Sequence, residues 1–142
     1  MKLNFTISEL TNSYTANQCK INNMPDLQSL DNLLELIVNC LQPVRDYLKK
    51  PMIVTSGYRC KLLNQKVGGS QKSEHLQGKA CDFVITGMKV ADIVSKIRNS
   101  DIEFNQLIEE YSKDGCWVHI SYNKGFNRRE VLRYKNGIYT KI

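Results

Sequence analysis

The apolar residues between Asp26 and Leu48 recur every three or four positions, and this pattern constrains the fold more than any other feature of the chain. Such spacing predicts the longest helix of the protein, with one apolar face. Pro43 lies inside the pattern and lacks a backbone N–H, so we expect the helix to kink or restart there. A second, shorter amphipathic helix is predicted by the stripe of Val90, Ile93, Val94 and Ile97. A capping box, TISE at residues 6–9, predicts a short helix near the start.

The patterns typical of strands fall mainly in the second half of the chain. The segment ACDFVI, residues 80–85, predicts a strand that is buried on both faces. FNQLIEEY and CWVHISY flank the polar turn SKDG and predict a hairpin, and REVLRYKNGIYTKI predicts another with its turn at KNG. PMIVTSGYR predicts an earlier strand that leads into a glycine turn. The expected fold class is therefore α+β, with N-terminal helices packed on a mostly antiparallel sheet.

The chain of 142 residues is long enough for one domain with a real core, and we assign residues 1–142 to a single, monomeric domain. No apolar run approaches the roughly 20 residues that cross a bilayer, so we expect no membrane span. The start MKLNFTISEL lacks an apolar core and a cleavage site, so no signal peptide is expected. The five cysteines form no CxxC pair, which favours reduced, buried thiols in a cytoplasmic setting.

The net charge of +6 favours polyanionic surroundings, such as an anionic cell wall, anionic lipid or nucleic acid. The densest basic stretch is KGFNRREVLRYK near the end, and solvated strand faces and turns account for it. Nucleic-acid binding explains neither of the two histidines, so we expect no nucleic-acid partner.

The two histidines and one aspartate are the candidate metal ligands. His75 lies in a glycine-punctuated loop, Asp82 follows seven residues later, and His119 lies in a predicted strand. Taken singly, each is explained by an ordinary structural role, such as a satisfied core histidine or a cap at the start of a strand. Taken together, two imidazoles and one carboxylate form a three-ligand set that leaves a fourth position for water, as in catalytic zinc sites.

Several segments in order resemble the zinc D-Ala-D-Ala carboxypeptidase family, peptidase M15. They are SGYR at 56–59, VGGSQKSEHLQGKACDF at 67–83 and WVHIS at 117–121. The family motif S-x-H-x-x-G-x-A-x-D is met by Ser73, His75, Gly78, Ala80 and Asp82. The likeness covers nearly the whole chain and is greatest to small phage and bacterial members. It implies a hedgehog-like fold with a zinc cleft, Zn²⁺ as cofactor and peptidoglycan peptides as substrate.

The residue types suit that chemistry. Zinc would polarise the scissile carbonyl and lower the pKa of its bound water towards about 7. Arg59 could bind a substrate carboxylate or the developing oxyanion with two donors, unless it forms only a surface salt bridge. Ser73 could bind substrate or hold the loop that carries His75.

The general base is the point at which the sequence departs from the wider family. In the wider family an acidic residue lies three positions before the last histidine, but this chain has Cys116 at that position. With the turn at SKDG, Glu110 would lie opposite Trp117 and diagonal to His119, on the same face of the sheet. We therefore predict that Glu110 is the base. A register shift of one residue would give that place to Glu109.

The sequence thus indicates a zinc peptidase that acts on peptidoglycan, as a carboxypeptidase or as an endopeptidase of the endolysin type. A protein made in the cytoplasm and released to the wall, from a phage or prophage gene or as part of a virion, fits this prediction. The alternative is a catalytically impaired zinc-binding or wall-binding module on the same fold, for which Cys116 is the main support.

Overall fold

The computed structural model describes residues 2–142 and contains helices in its first two thirds and most of its sheet in the last half. The α-helices are α1 (Ile7–Thr11), α2 (Tyr14–Gln18), α3 (Leu27–Leu36), α4 (Gln42–Leu48), α5 (Lys61–Lys66) and α6 (Val90–Arg98). The strands are β1 (Ile53–Ser56), β2 (Ala80–Val84), β3 (Gln106–Ser112), β4 (Gly115–Ser121), β5 (Glu130–Lys135) and β6 (Ile138–Lys141). The predicted α+β class is confirmed.

The predicted long helix is one continuous helical segment with a π-helical turn in its middle. The carboxylate of Asp26 accepts a hydrogen bond from the backbone N–H of Ser29 and caps α3. The π-helical turn spans Ile37–Leu41 and passes directly into α4, which holds Pro43 in its first turn. Because proline cannot donate to the carbonyl four residues earlier, a local change of helical pitch at this point is its expected effect.

The start of the chain contains one more helix than the sequence predicted. The capping box is confirmed, because Thr6 accepts from the N–H of Glu9 and the Glu9 carboxylate accepts from the N–H of Thr6. The segment after Thr11 was expected to fade into a loop, but it forms α2 instead. The hydroxyl of Ser13 caps that helix by accepting from the N–H of Ala16.

The sheet has six strands in the order β1-β2-β4-β3-β5-β6. Every neighbouring pair is antiparallel except β3 and β5, which are parallel, so the prediction of a mostly antiparallel sheet is confirmed. The β3–β4 hairpin has the predicted register, with Tyr111 opposite Cys116 and Ile108 opposite His119. The last hairpin is also present, and Asn136 and Gly137 both have positive φ in its turn.

The two faces of the central strands differ in chemistry. Phe83, Val118 and Ile120 belong to the main apolar core, which also contains the buried side chains of α3, α4 and α6. Because side chains alternate along a strand, Asp82 and His119 point to the opposite face. The fold therefore presents a polar face at the centre of its sheet, with the core packed behind it.

Two further expectations concern cysteines and membranes. All five cysteines are free, and Cys40 and Cys81 are buried as predicted. Cys19 and Cys116 are exposed, contrary to the prediction, because one lies at the end of α2 and the other next to the β3–β4 turn. Within residues 2–142, no helix has the length and apolar character that crossing a bilayer requires.

Candidate metal centre

A short 3₁₀ helix, Glu74–Gln77, places His75 at the centre of the polar face. The Ser73 hydroxyl caps this helix by accepting a hydrogen bond of 3.2 Å from the backbone N–H of His75. Gly78 ends it with φ of +73°, and a Cβ there would lie 2.5 Å from the carbonyl oxygen of Ser29. The glycine is required for both reasons, so the sequence motif fixes the turn that delivers the imidazole.

The orientation of His75 is set by the backbone of Gly57. Nδ1 of the buried imidazole lies 2.7 Å from the Gly57 carbonyl oxygen, to which it donates. A Cβ on Gly57 would lie 2.2 Å from the carbonyl oxygen of Leu10, so the SGYR turn can approach α1 this closely only with glycine. Since Nδ1 carries the hydrogen, Nε2 of the neutral ring presents its lone pair to Asp82, 3.2 Å from Oδ1.

Asp82 and His119 are direct partners across β2 and β4. Nδ1 of His119 lies 2.9 Å from Oδ1 of Asp82. The two imidazole rings meet edge to face, with their centroids 5.2 Å apart. One ligand atom from each of His75, Asp82 and His119 lies within 4.8 Å of the other two. The structure thus brings together the three residues that the sequence singled out.

The chemistry of these three groups fits a divalent metal. Burial lowers the pKa of His75 and outweighs the charge of Asp82, which favours the neutral imidazole that metals bind. Burial would raise the pKa of Asp82, but the two histidine side chains beside its carboxylate outweigh it and keep the pKa below its usual range. The Nε2 lone pair of neutral His75 and the carboxylate of Asp82 are both acceptors, so a cation between them would satisfy both. Two nitrogens and one oxygen form a donor set that suits zinc and also fits other divalent ions.

Glu110 lies beside these residues on the same face of the sheet. Its Oε1 is 3.8 Å from Nδ1 of His119, and its side chain is 19% exposed. Burial, and then the charge of Asp82, raise the pKa of Glu110, which makes it a better proton acceptor than an exposed glutamate. The position follows from the predicted register, in which Glu110 is paired with Trp117.

Glu109 points to the opposite face. Its carboxylate accepts from Nε of Arg133 at 3.1 Å and from the hydroxyl of Tyr111 at 2.8 Å, and the residue is only 3% exposed. Cys116 also lies on that side, in a cavity lined by Tyr111 and by residues of α6. Cys116 lies three positions before His119 in the same strand. Since side chains alternate between the two faces, Cys116 is directed away from the candidate metal ligands.

Arg59 approaches the same centre from the loop after β1. Its Nη2 lies 3.9 Å from Oδ2 of Asp82, and its Nη1 donates to the side-chain oxygen of Asn64 at 3.0 Å. Nε of Arg59 is buried and has no acceptor among residues 2–142, whereas Nε1 of Trp117 is buried beside the carboxylate of Glu110. A buried donor without a partner is uncommon in folded proteins, and this distinguishes Arg59 from an ordinary arginine of a surface salt bridge.

A cavity of about 420 Å³ opens over the three candidate ligands. Among its other lining residues are Arg59, Ser73, Glu110, Trp117, Tyr134 and Tyr139. A second cavity of about 480 Å³ shares Arg59, Asp82 and Trp117 with the first and continues along β1 towards α2. The two cavities meet at these shared residues, and we refer to them together as the cleft. Asn64, Tyr134 and Tyr139 could not be recognised from the sequence, because no motif contains them.

Two buried imidazoles and a carboxylate meet at one point of this α+β fold, and a second carboxylate lies beside them. This arrangement is compatible with a metal-dependent hydrolase. A family model described as Peptidase M15 matches residues 3–121. The chain therefore belongs to the peptidase M15 family, a family of metal-dependent peptidases, and the resemblance seen in the sequence is confirmed at this level. Comparison with curated proteins gives no match.

Proposed function

We propose that the protein is a zinc peptidase that hydrolyses peptide bonds in peptidoglycan. His75, Asp82 and His119 are the zinc ligands of this proposal, Glu110 is the general base, and Arg59 and Ser73 bind substrate. The single observation that carries it is the convergence of the three ligand atoms within 4.8 Å of one another in a cleft that also contains Glu110.

Zinc, when bound, supplies a Lewis acid that polarises a carbonyl and lowers the pKa of water. Glu110 accepts the proton of the attacking water and returns it to the amine as the C–N bond breaks. Its carboxylate lies 3.8 Å from His119, so a water molecule near the ligand set is within its reach. Arg59, which lines the cleft, offers a guanidinium donor to the oxyanion or to a substrate carboxylate.

Two features support peptidoglycan as the substrate. The motif around Ser73, His75 and Asp82 resembles enzymes that act on peptidoglycan peptides. The net charge of +6 also suits an anionic cell wall. The same resemblance to small phage members favours a phage or prophage setting, in which the protein acts on the wall after release.

The second candidate is a zinc-binding or wall-binding module without turnover, and Cys116 at the position of the expected acidic residue favours it. The geometry supports the enzyme instead. Residue 116 is directed to the face with α6, whereas Glu110 lies in the cleft. The loss of an acidic residue at 116 therefore removes nothing from the cleft of this structure.

The deciding experiment is incubation of the zinc-loaded protein with purified muropeptides, followed by mass spectrometry of the products. We expect new fragments that are absent when a chelator is added and that return when zinc is restored. The fragment masses distinguish D-Ala-D-Ala carboxypeptidase, D,D-endopeptidase and L-alanyl-D-glutamate endopeptidase activities. Stoichiometric zinc without any cleavage would instead identify the non-catalytic module.

A further inference from the structure

One row of side chains crosses four strands of the sheet at the level of Glu110. Trp117 on β4 is paired with Glu110 on β3, Glu110 with Tyr134 on β5, and Tyr134 with Tyr139 on β6. Paired residues of neighbouring strands project to the same side of a sheet. All four side chains line the cavity that contains the candidate metal ligands. Glu110 is therefore flanked by tryptophan on one side and by two tyrosines on the other.

The two tyrosines form a contiguous aromatic surface at the outer end of this row. Their ring centroids are 4.6 Å apart, with the rings tilted by 46°. Tyr139 belongs to the edge strand β6, lines the cleft and is 59% exposed. Partial burial, and then the charge of Glu110, the proposed base, raise the pKa of Tyr139.

Family membership assigns no role to these tyrosines. The match to peptidase M15 ends at residue 121, and β5 and β6 lie beyond it. The exposed ring of Tyr139 is not part of the main apolar core. A half-exposed aromatic pair in a hydrolytic cleft is suited to contact with a ligand, because tyrosine offers a large apolar face together with a hydroxyl.

The spacing of the strands sets the distance from the reaction centre. Neighbouring strands lie about 4.8 Å apart, so β5 is about 10 Å and β6 about 14 Å from the strand of His119. An extended peptide advances about 3.3–3.6 Å per residue, so these distances correspond to about three to four residues. Arg59 lies on the other side of the centre, in the loop after β1.

We propose that Tyr134 and Tyr139 form a substrate-binding subsite on the side of the scissile bond that faces away from Arg59. This subsite rests on the proposed function and extends it. It contacts the peptidoglycan peptide about three to four residues from the cleaved bond. The enzyme consequently prefers stem-length peptides to dipeptides.

The test compares Tyr139→Ala and Tyr134→Ala with Ile138→Ala as the matched control. Ile138 is an exposed residue of the same strand, but it projects to the other side of the sheet. The substrates are a cross-linked peptidoglycan stem peptide and the dipeptide that keeps one residue on each side of the cleaved bond. Each tyrosine variant should raise KM for the stem peptide by about 3- to 10-fold, with little change in kcat and a smaller effect on the dipeptide. Tyr139→Phe should largely restore KM, and Ile138→Ala should leave it unchanged.

Binding of the stem peptide to zinc-loaded Glu110→Gln protein, measured by calorimetry, gives a second readout that does not depend on turnover. Tyr139→Ala introduced into that background should weaken binding by a similar factor. If the wild-type protein neither binds nor cleaves stem peptides, the proposed function is wrong and the subsite is wrong with it. If it cleaves them, but the tyrosine variants keep the wild-type KM or affect both substrates equally, only the subsite is wrong.

Discussion

The carboxylate of Glu110 lies 3.8 Å from Nδ1 of His119 on the neighbouring strand. The preceding residue, Glu109, points to the other face of the sheet and binds Arg133 and Tyr111. Two adjacent glutamates thus have separate environments, one in the cleft and one in a structural ion pair. This difference allows the proposed base to be tested against its own neighbour.

Glu110→Gln should lower kcat for muropeptide hydrolysis by about 10²- to 10⁴-fold, because the amide cannot accept the proton of the attacking water. The zinc content should stay close to that of the wild type, since Glu110 is not one of the three proposed ligands. Parallel measurement of initial rates and of zinc by mass spectrometry checks both expectations. Undiminished hydrolysis by a zinc-loaded variant would show that Glu110 is not the base.

Glu109→Gln is the matched control, and it should keep the activity of the wild type but lose stability. Its activity per folded molecule should be near that of the wild type, because Glu109 does not line the cleft. Its free energy of unfolding should fall by about 1–3 kcal/mol, since a partly buried, charge-assisted hydrogen bond to Arg133 is weakened. Urea unfolding measures this loss. A Glu109 variant that is stable but inactive would reverse the two assignments.

Arg59→Ala should reduce kcat by about 10²- to 10³-fold if its guanidinium stabilises charge that develops on the substrate. Arg59→Lys should recover little, because the compact ammonium lacks the planar fork whose two terminal nitrogens lie near Asn64 and Asp82. Steady-state kinetics with muropeptides separate kcat from KM. Full activity of the alanine variant would leave Arg59 with a structural role alone.

Gly57→Ala should weaken zinc affinity by about 10- to 100-fold without removing any ligand. An added Cβ would lie 2.2 Å from the carbonyl oxygen of Leu10, so the backbone must shift and the hydrogen bond to Nδ1 of His75 is disturbed. Competition with a chromophoric chelator measures the affinity. The control is Gly87→Ala, whose φ of +82° also strains the backbone, but where no atom lies within 4 Å of the new Cβ. Equal affinities for the two variants would contradict the role assigned to the Gly57 carbonyl.

The Tyr111–Glu109 hydrogen bond should make stability depend on alkaline pH. Burial, and then the hydrogen bond and charge of Glu109, raise the pKa of Tyr111 to about 12 in the folded protein. In the unfolded chain the phenol loses its proton near pH 10, which is a lower pH than in the folded protein. The unfolded state therefore binds fewer protons between these values, and the stabilisation present below about pH 10 is lost as the pH rises towards 12.

Wild-type protein should accordingly lose stability more steeply across this interval than Tyr111→Phe. Urea unfolding near pH 9 and near pH 11.5 gives, for each protein, the change in the free energy of unfolding with pH. The phenylalanine variant keeps the ring and all other alkaline groups, so the difference between the slopes isolates Tyr111. Parallel slopes would mean that the hydroxyl does not titrate differently in the two states.

The register of the β3–β4 hairpin could be predicted because it depends on local sequence. The turn at Lys113 and Asp114 fixes which residues face each other, and the alternation of side chains then places Glu110 beside His119. The helix boundaries near Asp26 and Thr6 were also predictable, since both residues cap through short-range hydrogen bonds.

Contacts between distant segments could not be predicted in the same way. The parallel pairing of β3 with β5 brings Tyr134 next to Glu110, although 24 residues separate them, and no local pattern encodes it. The hydrogen bond from His75 to the Gly57 carbonyl joins two loops through the backbone, which carries no side-chain signature. In the sequence, Cys116 indicated the loss of the acidic residue expected as the base. In the structure, Cys116 lies on the other side of the sheet from the cleft.

The most direct test of the central claim is the zinc stoichiometry of purified, zinc-loaded protein, compared with that of the triple variant His75→Ala, Asp82→Ala and His119→Ala. Circular dichroism establishes that each sample is folded, and Cys116→Ser controls for zinc held by an exposed thiol. We expect about one zinc per chain in the wild type and in Cys116→Ser, and less than about 0.1 in the triple variant. Equal zinc content in a folded triple variant and in the wild type would contradict this assignment of the metal centre.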